Sequence, residues 1–216
     1  MFKFLSQLLD FIYSKHCYFC GSAKENTKMC SKCYEKIDHL PIKSIKTISS
    51  VPVYSSAIYE KEIQKLIRGI KYHNQQELAY FQAKIMYDYW QKLTLSDEEF
   101  EIVPVPLFCE REKKRKYNQM VLVANEFSKF TGYPTNPDII KRIKNTKPQY
   151  KLSKKEREKN LKHAFECKKE YYNGKKLLLI DDILTTGSTM EEMIKTFKNS
   201  DINDLVVFVT SCTRFI

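Results

Sequence analysis

Glycine is scarce in this chain, with five among 216 residues. So few cannot supply a G-x-G-x-x-G dinucleotide loop or a Walker-type phosphate loop, and neither motif is present. Long apolar runs are missing too. Met1–Tyr13 is apolar, but it carries Asp10, is too short to span a bilayer and shows no small-residue cleavage site. Nothing else reads as a targeting or transmembrane segment, which points to a cytoplasmic protein. Internal repeats and low-complexity linkers are absent, and an apolar fraction of 43% argues against global disorder.

What is present divides unevenly. The net charge of +11 is confined to Arg111–Lys162, where sixteen Lys/Arg face five Asp/Glu, while the remainder is neutral. Such a segment suits phosphates, on a small ligand or on nucleic acid. Charge alone is equally compatible with a solvated lysine-rich face. At the N-terminus Phe2, Leu5, Leu9 and Ile12 share a helical face, which predicts a short amphipathic helix packing on the protein itself. A membrane-surface contact is the alternative.

Periodicity predicts strands at Ser50–Tyr59, Glu101–Val105, Asp138–Arg142, Lys176–Ile180 and Leu205–Thr210. Helices are expected at Lys61–Ile70, Gln76–Leu93, Tyr117–Phe130, Ser153–Asn160 and Ser188–Lys198. Strands alternating with helices, with continuous apolar runs, imply an α/β fold whose mainly parallel, doubly wound sheet is covered on both faces.

The most informative string is Leu177-Leu-Leu-Ile-Asp-Asp-Ile-Leu-Thr-Thr-Gly-Ser-Thr189. A buried strand ends in two carboxylates, each able to accept two hydrogen bonds, as the adjacent hydroxyls of a ribose require. The hydroxyls of Thr185, Thr186, Ser188 and Thr189 and the amides that open the next helix suit a phosphate. Gly187 removes a Cβ where the backbone must approach that phosphate. A bland strand-to-helix turn capped by Asp and Thr would explain a lone Asp-Asp, but not the full string.

Cys17-x-x-Cys20 and Cys30-x-x-Cys33 are two pairs across a short loop, able to set four thiolates around a structural Zn²⁺. Disulfides are the alternative, disfavoured in a cytosolic chain. Cys109, Cys167 and Cys212 are isolated and read as packing residues. In the basic segment, Val103-Pro-Val-Pro-Leu107 leads from a strand through a basic loop with Arg111 and Arg115 to Tyr117-Asn-Gln119 and a helix. Arg142, Thr146, Gln149, Leu152, Arg157, Asn160, Ala164 and Phe165 follow.

The Asp181–Thr189 string closely resembles the phosphoribosyl-pyrophosphate signature of type I phosphoribosyltransferases. That resemblance implies that Asp181 and Asp182 hold the ribose hydroxyls and that Thr185, Thr186, Gly187, Ser188 and Thr189 hold the 5-phosphate. Many purine-salvage members carry an aspartate general base where Thr185 stands. A threonine cannot take a proton near neutral pH, which argues against purine salvage. The ordered set of C-x-x-C pairs, Lys71-Tyr72, P-V-P, Arg111/Arg115, Tyr117-Asn-Gln119 and the Asp-Asp loop resembles the ComF-type competence proteins of bacterial DNA uptake nearly end to end. Two departures are visible. Lys116 stands where the family usually has glycine, and His73-Asn74 stand where a glycine often follows the Lys-aromatic pair.

The resemblance implies a type I phosphoribosyltransferase-like domain over residues 41–216, preceded by a helix and zinc-ribbon-like module over residues 1–40. It implies phosphoribosyl pyrophosphate with Mg²⁺ as ligand, single-stranded DNA as partner, and a role beside the proteins of the DNA-uptake machinery. Lys71, Arg111 and Arg115 are expected to contact the pyrophosphate, where preorganised cations stabilise developing negative charge. An active transferase with an unidentified acceptor is the alternative, and no catalytic base is identified.

Overall fold

The computed structural model describes residues 15–145 and 160–213. The expected N-terminal helix, the Ser153–Asn160 helix apart from its last residue, and Thr146, Gln149, Tyr150, Leu152 and Arg157 lie outside them.

Five strands form one sheet in the order β1 (Lys46–Ile48), β2 (Val51–Ile58), β7 (Leu205–Cys212), β6 (Lys176–Leu184), β3 (Phe100–Pro104). All neighbours run parallel except the β1–β2 edge hairpin, so the expected parallel sheet carries one antiparallel edge strand. Side chains alternate across a strand, and β6 shows the consequence. Leu178 and Ile180 pack on one face beneath α2 (Lys61–Tyr72), α3 (Leu78–Trp90) and α5 (Gln119–Thr131). Leu177 and Leu179 pack on the other, beneath α6 (Ser188–Lys198) and a small antiparallel pair, β4 (Ile140–Arg142) and β5 (Phe165–Cys167). Both faces are covered, and for that reason β6 and β7 read as continuous apolar runs.

The four-cysteine module, with its short helix α1 (Ser31–Tyr34), joins the first of these cores through Cys17, Met29, Cys30, Cys33 and Ile37. It docks on α2. The Lys65 ammonium donates to the Phe19 carbonyl at 2.9 Å and lies over the Tyr18 and Phe19 rings. The Tyr18 hydroxyl meets His73 Nδ1 at 2.5 Å.

Three short elements escape periodicity. Cys109–Arg115, expected as a basic loop, is a helix, α4. None of its residues is buried, so it has no apolar stripe to reveal it. Glu110 and Glu112 in its first turn and Lys113, Lys114 and Arg115 in its last instead match the helix dipole. β1 and β5 have three residues each, too few to show alternation. Strand β6 also runs on to Leu184, so both aspartates belong to the strand rather than following it.

Candidate functional site

The pleat that alternates Leu177 to Ile180 continues into Asp181 and Asp182, and it sends the two carboxylates toward opposite layers. Asp182 points toward α2 and α5. Lys71, at the end of α2, pairs with its Oδ2 at 2.5 Å, and both side chains are largely buried. Gln119 Nε2 donates to the same oxygen at 3.4 Å, and the Arg115 guanidinium donates to Gln119 Oε1. Burial pulls the Lys71 ammonium toward neutrality, but the Asp182 carboxylate outweighs it and raises its pKa above the ordinary value. The Ser211 hydroxyl donates to the Asp182 carbonyl at 3.0 Å and anchors the backbone there.

Asp181 lies on the β4 side. It keeps partial exposure, yet surrounding protein desolvates it, and the neighbouring Asp182 charge adds to the effect. Its pKa is pushed up to about 7, against the pull of Lys71, of the Asp182 amide that donates to it at 2.8 Å, and of Arg142. Arg142 is itself lowered to about 10 by burial and by the nearby Arg111 charge. The site thus joins a locked carboxylate to one that titrates near neutrality.

Past Leu184 the chain enters the hydroxyl loop. Gly187 caps α6 with φ 88°, a left-handed conformation that favours glycine. Space is tight as well: a Cβ there would lie 2.8 Å from Ile48 Cδ1, so the tip of that side chain would have to shift. Thr186 and Ser188 hydroxyls meet at 2.9 Å, and the first-turn amides of α6 open onto the loop.

The positions lacking glycine keep the backbone that glycine would favour. Lys116 ends α4 in the left-handed region at φ 69°, and Asn74 follows α2 at φ 52°. Asparagine tolerates that region through its short polar side chain; lysine carries the strain. Downstream of Lys116, Asn118 caps α5 by accepting from the Met120 amide at 2.9 Å and donating to the Val105 carbonyl at 3.1 Å. That clamp holds the start of α5 against the end of β3 and sets Gln119 facing Asp182.

The structure therefore gathers Lys71 and Arg115 around Asp182, and brings Arg111 close to Arg142 on the side of Asp181. Gln119 and Arg142 join the site without a signal in the sequence, since neither pattern betrays which carboxylate a side chain will face. Tyr117 is half-buried and donates its hydroxyl to the Ile70 carbonyl. Cys109 is exposed and is no packing residue, unlike the buried Cys212. A separate cleft of about 710 Å³ lies between the cysteine module, α3 and α5. Four of the five charged side chains that line it form the Lys15–Glu77 and Lys129–Glu126 pairs, and it contains no comparable cluster of reactive groups.

The Sγ atoms of Cys17, Cys20, Cys30 and Cys33 all lie within 4.8 Å of one another and can bind a metal ion. The Cys20–Cys30 separation is 3.7 Å. Thiolates in tetrahedral array around Zn²⁺ at its usual bond length stand about 3.8 Å apart, so the donors fit that ion. Burial raises the Cys17 thiol, but amides of Cys30, Cys20 and Phe19 outweigh it and bring it to about 6. All seven cysteines are free thiols rather than disulfides. Among the described residues no helix is long and apolar enough to cross a membrane.

A mainly parallel sheet ending in paired carboxylates beside a hydroxyl loop defines a phosphoribosyltransferase-like protein, and residues 114–214 match the phosphoribosyl transferase domain. Competence protein F of Haemophilus influenzae is 28% identical over 202 residues, covering 89% of this chain and 88% of that protein. DNA utilization protein YhgH of Escherichia coli strain K12 is 25% identical, covering 82% and 81%. Competence protein ComFC of Bacillus subtilis is 35% identical over 44% of this chain and 36% of its own length. The chain is thus similar to ComF-type, phosphoribosyltransferase-like proteins.

Proposed function

We propose that this protein binds phosphoribosyl pyrophosphate with Mg²⁺ at the β6–α6 junction and handles single-stranded DNA during natural transformation, in the cytoplasm. The observation that carries the ligand reading is the pairing of Asp181 and Asp182 with the Gly187-capped loop, ringed by Lys71, Arg115 and Arg142. Asp181 and Asp182 would accept from the ribose hydroxyls, and Thr185 to Thr189 would bind the 5-phosphate. Lys71 and Arg115, with Arg111, would face the pyrophosphate. Mg²⁺, when bound, neutralises pyrophosphate charge. For Lys71 to reach the pyrophosphate it must leave Asp182, so ligand entry exchanges one ion pair for another. Four cysteines would hold a structural Zn²⁺, and residues 1–40 and 41–216 would form the module and the transferase-like domain.

The names of the relatives support the DNA role, as do the exposed Lys113, Lys114 and Lys116 at the end of α4. The proteins of DNA uptake are the expected partners. One observation favours a second reading, an active transferase with an unassigned acceptor: Asp181 is a carboxyl that exchanges a proton near neutral pH. Titration calorimetry with phosphoribosyl pyrophosphate and Mg²⁺ tests the ligand. Asp182→Asn, which keeps the side chain's shape, should weaken binding about tenfold or more. Unchanged affinity would overturn the site. Pyrophosphate release in a screen of bases and amines would favour the transferase, and silence with retained ligand and DNA binding would favour the DNA-handling role.

A further inference from the structure

The loop from Thr185 to Thr189 contains hydroxyls, amides and one glycine, and no basic side chain. A helix N-terminus offers roughly half a positive charge, whereas a phosphate monoester carries about −1.5 to −2 at neutral pH. The loop alone leaves most of that charge unanswered. Lys71 is engaged by Asp182, and Arg142 serves the side of Asp181.

A cation reaches the loop from a distant part of the chain. A Cβ at Gly187 would lie 3.5 Å from Lys46 Nζ, next to Ile48 Cδ1 at 2.8 Å. Lys46 and Ile48 are two apart on the edge strand β1, and so share one of its faces. Ile48 packs with the α6 core and fixes that face toward the loop. The hairpin behind it is held twice. Ser49 and Ser50 both have positive φ, 48° and 64°, as a two-residue turn matched to strand twist demands. Lys198, the last residue of α6, donates to the Ser49 carbonyl at 2.7 Å. The helix whose N-terminus opens the cradle thereby grips, at its other end, the hairpin that carries Lys46.

We propose that Lys46 completes the phosphate cradle, its ammonium serving as counter-ion to the phosphate held by Thr185–Thr189. This rests on the phosphoribosyl reading of that loop. Lys46 lies outside the matched residues 114–214, so the edge hairpin is a part of the binding site that the domain match does not include.

The test measures binding of ribose 5-phosphate, and of phosphoribosyl pyrophosphate with Mg²⁺, to the full chain by calorimetry. Lys46→Met should lose about tenfold or more in affinity for both, as expected for a lost charge-assisted hydrogen bond. Lys46→Arg should stay within about threefold of wild type, since it keeps the charge. Lys43→Met, a nearby exposed lysine, should leave both affinities unchanged. Melting temperatures near wild type would establish that the variants fold. Wild-type affinity in Lys46→Met, or an equal loss in Lys43→Met, overturns the assignment while leaving the ligand reading intact if Asp182→Asn still weakens binding. Failure of wild type to bind either ligand overturns both.

Discussion

Two neighbouring carboxylates with identical chemistry acquire different tasks from the side of the sheet each faces. Asp182 is locked by Lys71, and removing one member of such a buried pair typically costs about 3–5 kcal/mol, so the melting temperature of Asp182→Asn must be measured beside its ligand affinity. Asp181 titrates near pH 7 because it is desolvated beside a second carboxylate. Its folded-state value exceeds the unfolded one, so the native state keeps a proton that the unfolded chain has already lost. Stability should therefore fall as pH rises from about 4 to about 7, and Asp181→Asn should flatten that slope in urea titrations repeated at each pH. Ligand affinity should run the other way. If the ribose hydroxyls need an ionised acceptor, wild-type binding strengthens up to about pH 7, and the increment lost in Asp181→Asn measures this group apart from the ligand's own phosphates. Lys116 makes a simpler prediction. Its left-handed backbone costs roughly 1 kcal/mol, partly offset by the greater chain entropy of glycine. Lys116→Gly should raise unfolding stability by about 0.5 kcal/mol with no change in ligand affinity.

Helix α2 touches both the cysteine module and the carboxylate pair. Its outward face receives the cysteine module through Lys65, Gly69 and His73, and its end delivers Lys71 to Asp182. Gly69 is there for contact rather than turning, since a Cβ would lie 2.6 Å from Leu78 and 3.1 Å from Tyr18. If the four cysteines hold the proposed Zn²⁺, stripping it should lower the melting temperature, because small metal-held modules lose their folding energy with the ion. It should also weaken phosphoribosyl pyrophosphate binding by loosening α2; full affinity in the chelated protein would show that the module and the carboxylate site are independent. Elements with a buried stripe, such as α3, α5, α6 and the strands β2, β6 and β7, are readable from spacing alone. The exposed helix α4 and the three-residue strands β1 and β5 are not, because nothing in their local pattern records a distant partner.

At the scale of the whole molecule, the positive excess lies in Arg111–Lys162, and the described part of that segment sets Arg115 against Gln119 and Arg111 near Arg142. If that segment is the DNA track, single-stranded DNA affinity should drop steeply with salt, and Lys113→Glu with Lys114→Glu should reduce the slope by about one to two. A flat salt response would exclude it. Sequence alone determined the fold class, the carboxylate-and-hydroxyl string and the cysteine quartet, since each depends on residues close in the chain: pleat, turn and ligand spacing are local rules. Only the tertiary structure decided which carboxylate Lys71 would lock, that Gln119 and Arg142 belong to the site, and that Lys46 reaches Gly187 from an edge strand. Those contacts join residues dozens to more than a hundred positions apart, brought together by the sheet order, and no local pattern carries that information.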